Sequence, residues 1–116
     1  MKGFGGMQDL GGMMKQAQKH LKDMQRRMQE VEDDLRERVV EGSAGGGMVQ
    51  VMFNGLQDPL DVKIDPVVLE EEGPEFLQEM ILAAIRQGLK KSQELEEAER
   101  AKVTGKLNVP GLEGLI

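Results

Sequence analysis

The chain has 116 residues and a net charge of −6, with nine Met, three Phe and no Trp, Tyr or Cys. That length suits one domain, and the absence of cysteine excludes a disulfide framework, a thiol nucleophile and a Cys-ligated metal. No apolar run reaches the ~18 residues a membrane span needs, and Met1-Lys2-Gly3-Phe4-Gly5-Gly6 lacks the apolar core of a signal peptide, which fits the cytoplasm.

The charge is placed unevenly. Residues 1–29 carry a net +4, residues 30–75 a net −10, and residues 76–116 balance. A local basic surface on an acidic chain is therefore expected. Residues 1–6 are glycine-rich and predict a flexible N-terminus, ahead of a single domain over residues 7–103. Over residues 7–35, Leu10, Met14, Ala17, Leu21, Met24, Met28, Val31 and Leu35 recur at alternating spacings of four and three, a heptad seam. At about 1.5 Å per residue the helix is roughly 40 Å long. A chain this size cannot cover it, so part should project.

Residues 38–42 read as a first strand, and Ser43-Ala44-Gly45-Gly46-Gly47 as a turn. Residues 48–53 form a second strand with Val49, Val51 and Phe53 on one face. Asn54-Gly55 and Asp58-Pro59 mark the next turn. Leu60, Val62 and Ile64 alternate with Asp61, Lys63 and Asp65, which predicts a third, half-buried strand. Asp65-Pro66 supplies an N-cap and a first-turn proline for a short helix through about Glu71. Gly73-Pro74 ends it and starts a last helix to about Val103. That helix is apolar in its first half (Phe76, Leu77, Met80, Ile81, Ala84, Ile85, Leu89) and should leave the sheet in its second. Gly88 is either a point of close approach to a neighbour or a tolerated weak point costing about 1 kcal/mol relative to Ala. Residues 104–116 predict a flexible tail, although Leu107, Val109, Leu112, Leu115 and Ile116 offer apolar groups for docking. The fold class is thus α+β: long helix, three-stranded antiparallel sheet, short helix, long helix. The aromatic-poor core and the sheet's open edges predict a homodimer.

Lys15, Lys19, Lys22 and Arg26 are spaced four, three and four apart, at heptad positions b and f, opposite the seam. Arg27, at g, flanks it. Such cations are either a solvated outer face, the usual fate of helical charges, or, on a projecting arm with few acids, a candidate DNA-binding set of these five residues, contacting phosphates and releasing counterions. Glutamines 8, 16, 18, 25 and 29 add neutral hydrogen-bonding groups. Arg86, Lys90 and Lys91 form a second basic group, but Glu94, Glu96, Glu97 and Glu99 follow, and pairing such as Lys90 with Glu94 is expected to neutralise it.

No catalytic constellation is present. His20 stands alone, so no transition-metal set exists, and Asp58, Asp61 and Asp65 lack calcium-loop spacing. Gly45-Gly46-Gly47 has no following Lys-Ser/Thr. Ser43, Ser92 and Thr104 have no His/Asp context. Neither a metal nor a cofactor nor a small-molecule substrate is indicated, and the missing Tyr and Trp disfavour single-strand stacking platforms.

Several segments together resemble the YbaB/EbfC family: Gly12-Met13-Met14-Lys15-Gln16-Ala17-Gln18, Met24-Gln25-Arg26-Arg27-Met28-Gln29, Gly42-Ser43-Ala44-Gly45-Gly46-Gly47-Met48-Val49 and Val62-Lys63-Ile64-Asp65-Pro66. The resemblance covers about residues 7–104. It implies a bacterial nucleoid-associated protein whose subunits dimerise through the sheet region, with helices projecting like tweezers. It also implies binding to double-stranded DNA in the cytoplasmic nucleoid, with effects on nucleoid organisation and gene expression. A second reading is a coiled-coil interaction or holdase module of prefoldin-like organisation, because two long helices flank a small sheet and a Met-rich seam suits adaptable partners. The third strand and the Asp65-Pro66 helix argue against it.

Overall fold

The structure, a computed structural model, describes residues 2–105, with side chains from residue 10 onward. Its elements run α1 (Lys2–Glu37), β1 (Val39–Ala44), β2 (Val49–Asn54), β3 (Pro59–Ile64), α2 (Pro66–Glu71) and α3 (Pro74–Thr104). Element order and type agree with the expectation. α1 starts at Lys2, ahead of the expected start at Met7, and the strands are each displaced by a residue or two. Thr104, expected in the tail, still belongs to α3, and the rest of the expected tail, residues 106–116, lies outside the described residues.

The sheet is an antiparallel meander in the order β1-β2-β3. Gly45, Gly46 and Gly47 all take positive φ (63°, 66° and 92°) in the β1–β2 turn. Three such residues in succession are sterically open only to glycine. Val49, Val51 and Phe53 project from one face of β2, as the two-residue period requires. With Val68 of α2 and Met80 and Ala84 of α3 they form the core.

α3 lies across β1 and β2, and the crossing depends on two glycines. A Cβ on Gly42 of β1 would collide with the Ala84 carbonyl and the Gly88 backbone. A Cβ on Gly88 would stand 2.6 Å from the Phe53 ring. Gly88 is therefore a point of close approach, which settles the two readings of it. Because α3 sits over β1 and β2, it does not reach β3. Leu60 and Val62 share the core face with Phe53 and Val51 but stay 52% and 50% exposed. The half-buried third strand expected from the alternation is corrected accordingly: only Ile64 is partly covered.

Both long helices are fixed to one loop, residues 54–58. The Gly55 amide donates to the Leu35 carbonyl at the end of α1 (2.8 Å), and Leu35 itself is fully buried. On α3, the buried Ser92 hydroxyl donates to the Asn54 carbonyl (2.7 Å) and accepts from the backbone N–H and the side-chain amide of Gln57 (3.1 and 2.9 Å). That uses the full capacity of a hydroxyl, one donor and two acceptors. The Asn54 side-chain oxygen closes the loop from within by accepting from Leu56 and Asp58 amides (2.9 and 3.0 Å).

Beyond the loop, α3 leaves the sheet and runs beside the C-terminal part of α1. Arg38 pairs with Glu99 across the two helices (3.2 Å), and the Arg100 guanidinium meets the Met28 sulfur (3.9 Å). Among the described residues the rest of α1 continues alone, and the chain measures 87 × 28 × 16 Å.

Candidate nucleic-acid interface

The projecting part of α1 holds every candidate side chain. Lys15, Lys19, Lys22 and Arg26 are exposed, and Arg27 is half-buried. Their helical spacing places the first four on one face. At about 1.5 Å per residue the stripe runs roughly 16 Å. A duplex presents one phosphate charge per ~1.7 Å of its axis, so a stripe this long can face several phosphates at once.

The stripe is not electrostatically uniform. Among the described residues, its ion pairs converge on Asp23, which accepts a hydrogen bond from Arg26 at i+3 and pairs in charge with the Arg27 Nε at i+4 (3.2 Å). The three lysines thus form the uncompensated part, and the two arginines share a counter-charge. Sequence reasoning named the five cations and overlooked Asp23, although the i,i+3 and i,i+4 spacing that pairs them was readable.

Toward the sheet the sign of the helix reverses. Glu30, Glu32, Asp33, Asp34 and Glu37 crowd its last turns, and Arg36 is engaged by Glu32 (3.6 Å) and Asp33 (3.2 Å). Arg38 is held by Asp34 (3.7 Å) and Glu99. The distal arm thus carries positive charge and its base negative charge.

The second basic group departs from expectation. Among the described residues no ion pair joins Lys90 to Glu94. The Lys91 ammonium instead donates to the Glu41 carbonyl (3.0 Å), across the helix–sheet contact. Two of the four glutamates that were to neutralise this group serve other partners: Glu96 binds Arg100 (2.7 Å), and Glu99 binds Lys102 (2.9 Å) and Arg38. The hydrogen bond from Lys102, aided by the charges of Lys102 and Arg38, holds the Glu99 carboxyl below its ordinary pKa, against a smaller opposing effect of desolvation. This cluster ties α1 to α3 and leaves Lys90 and Arg86 exposed on the covering helix.

The described residues contain no group of three or more His, Cys, Asp or Glu arranged to hold a metal ion, and no described helix is long and apolar enough to cross a membrane. Ser92, without His or Asp context in the sequence, is fully engaged in structural hydrogen bonds.

The chain matches the model of the YbaB/EbfC DNA-binding family over residues 7–107. It is 47% identical over 92 residues to a nucleoid-associated protein of Syntrophobacter fumaroxidans, covering 79% of this chain and 84% of that protein. It is 44% identical over 111 residues to a nucleoid-associated protein of Acetivibrio thermocellus, covering 95% and 93%. Among solved structures, that of an uncharacterized Helicobacter pylori protein superposes with a TM-score of 0.57 at 31% identity, covering 67% of this chain and 90% of that one.

Proposed function

The chain belongs to the YbaB/EbfC DNA-binding family, and from that premise we infer that it is a non-enzymatic, nucleoid-associated protein that binds duplex DNA through the distal half of α1. The observation that carries the site is the reversal of charge along α1: Lys15, Lys19 and Lys22 stand exposed on the free arm, with Arg26 and Arg27 at its inner edge, while the base is acidic. Cations spaced along one helix face meet phosphates. They carry no information about base identity, so binding is weakly sequence-specific and acts on DNA conformation, nucleoid organisation and gene expression.

The working unit is a homodimer. The apolar side chains of β3 support this reading, because Leu60 and Val62 face out from an edge strand that α3 leaves uncovered. A second subunit covering that strand would bury them, and two α1 arms would then be available to grip one duplex. Family membership in DNA binders replaces the prefoldin-like reading.

Duplex titrations across a salt series, with random and defined sequences, test the function. Affinity should fall log-linearly with salt and differ little between sequences. One motif bound about 10³-fold above random DNA, the range of specific readers, would overturn the phosphate-dominated reading. Light scattering of the full chain should give twice the subunit mass, and a monomer at high micromolar concentration would refute the dimer.

A further inference from the structure

The seam of α1 runs on past α3. Over its C-terminal part Met24, Met28 and Val31 are half-buried and Leu35 is buried, where α3 lies alongside. Toward the free end the same heptad continues through Leu21, Met14 and Leu10, which among the described residues remain 58%, 63% and 60% exposed. Where the two stretches meet, Leu21, Met24 and Met28 line an open concavity of about 410 Å³, with Gln25, Gln29 and Glu32 at its rim.

The charges and the sizes along this strip both suit another copy of itself. Over residues 11–25 the positions flanking the seam are Gly11, Gln18 and Gln25 on one side and Met13 and His20 on the other, with no Lys, Arg, Asp or Glu among them. The cations Lys15, Lys19, Lys22 and Arg26 point the opposite way. Two copies can therefore meet seam to seam without opposing like charges, which would otherwise keep such basic arms apart. The sizes match when one copy is reversed. In an antiparallel pair centred at Lys19, Leu21 meets the partner's Ala17, Met24 the partner's Met14 and Met28 the partner's Leu10, and a twofold axis repeats each layer. The small seam residue thus sits opposite a large one, and two large side chains arrive at the concavity. A parallel pair would set Ala17 against the partner's Ala17 and leave a gap between well-filled layers.

We propose that the α1 arms of two molecules pair antiparallel along the seam from Leu10 to Met28, so that the partner of this surface is a second copy of the chain. An antiparallel rod carries its two sheets at opposite ends, so this contact is separate from the sheet dimer and joins one dimer to the next. Its lysine stripes lie on opposite outer sides and stay free for phosphate. On the DNA-binding reading above, the rod can hold two duplexes side by side. A strip about 27 Å long and about 10 Å wide covers well under the ~800 Å² per partner of a standard interface. The link is therefore weak alone and forms where molecules are concentrated.

The chain has no cysteine, so a single added thiol reports its own neighbour. Beside the twofold axis His20 lies next to the partner's His20, and Met13 faces the partner's Arg27. At high micromolar concentration a short bis-maleimide, with linked peptides read by mass spectrometry, should join H20C to itself. In an equal mixture it should join M13C to R27C, but not M13C to itself, because the two copies of that position lie about 21 Å apart in the pair. Adding L21D should lower the H20C product at least about tenfold, since it buries a carboxylate against the partner's seam. Leu21 is exposed in the single chain, so circular dichroism should be unchanged. Absence of the H20C product, or a product that L21D does not reduce, overturns the proposal. M13C joining itself as readily as R27C also overturns it, and assigns the seam to a parallel pair. The product forms without DNA, so its loss is distinguishable from a failure of the salt-series test.

Discussion

Replacing Lys19 and Lys22 together with alanine removes two of the three cations of the stripe that Asp23 does not engage. Each phosphate contact contributes about 0.9 to the slope of log affinity against log salt, so K19A/K22A should flatten that slope by about 1.8 for each engaged arm. The counterion contribution vanishes near 1 M salt. The same arithmetic gives a loss of about 60-fold at 0.1 M salt and only about 3.5-fold at 0.5 M. Asp23→Asn should act in the opposite direction. It removes one negative charge and releases the guanidiniums of Arg26 and Arg27, steepening the slope by up to about 1.8. Fluorescence anisotropy with a labelled random duplex, over at least four salt concentrations, reads both variants against wild type. Circular dichroism should show unchanged helix, because substitutions at exposed positions move stability by about 0.5 kcal/mol or less. If K19A/K22A keeps the wild-type slope and D23N does not steepen it, the distal face of α1 does not meet phosphate. If Lys90→Ala flattens the slope in their place, the contact surface lies on α3.

Four further outcomes follow from the scaffold. Gly88→Ala should destabilise the chain by about 1–3 kcal/mol in chemical denaturation, because the added methyl meets the Phe53 ring in a filled core. Gly11→Ala, on an open helix face with nothing near its Cβ position, should stabilise α1 by about 0.5–1 kcal/mol. Ser92→Ala should cost about 1–3 kcal/mol, since it strands the Asn54 carbonyl and the Gln57 donors at a buried site; an unchanged denaturation midpoint would show that the loop does not depend on it. Because the Glu99 pKa is lowered in the folded chain, its bonds stabilise the α1–α3 contact above the ordinary carboxylate value and lose that effect as pH falls through the lowered one. Protection factors for amide exchange over residues 99–104 should therefore fall only below about pH 4, and a fall between pH 7 and pH 5 would contradict the assignment.

Element order was legible because each element carries its own period: four-three along α1, two along β2 and β3, and proline or glycine at the joints. What local pattern does not encode is which of several similar apolar faces finds a partner. β3 alternates as cleanly as β2, yet α3 covers β2 and passes over β1, so Val51 is buried while Val62, paired with it across the sheet, is not. The meaning of Gly88 was likewise hidden, because it depends on Gly42, far away in sequence and directly beneath it in the fold. At the site, the cationic face followed from spacing alone. Among the described residues the expected Lys90–Glu94 pair does not form, whereas Lys91 reaches the Glu41 carbonyl and Glu99 pairs with Arg38, contacts that spacing along one helix does not list. Spacing lists the partners along one helix, and the fold adds others.

The loop at residues 54–58 makes the arm a lever with its fulcrum at Leu35. Lys15 lies about 30 Å from that point. A tilt of roughly 10° there carries the lysine about 5 Å, more than the ~3.4 Å axial rise from one phosphate to the next on one strand. In the proposed dimer, the distance between the two arms, and hence which phosphates the proposed stripe could grip, would therefore be governed by a handful of bonds to Asn54, Gly55 and Gln57 that lie outside the stripe. Substitutions in this loop should change the preferred bend or groove width of the bound duplex without removing a single contact to it.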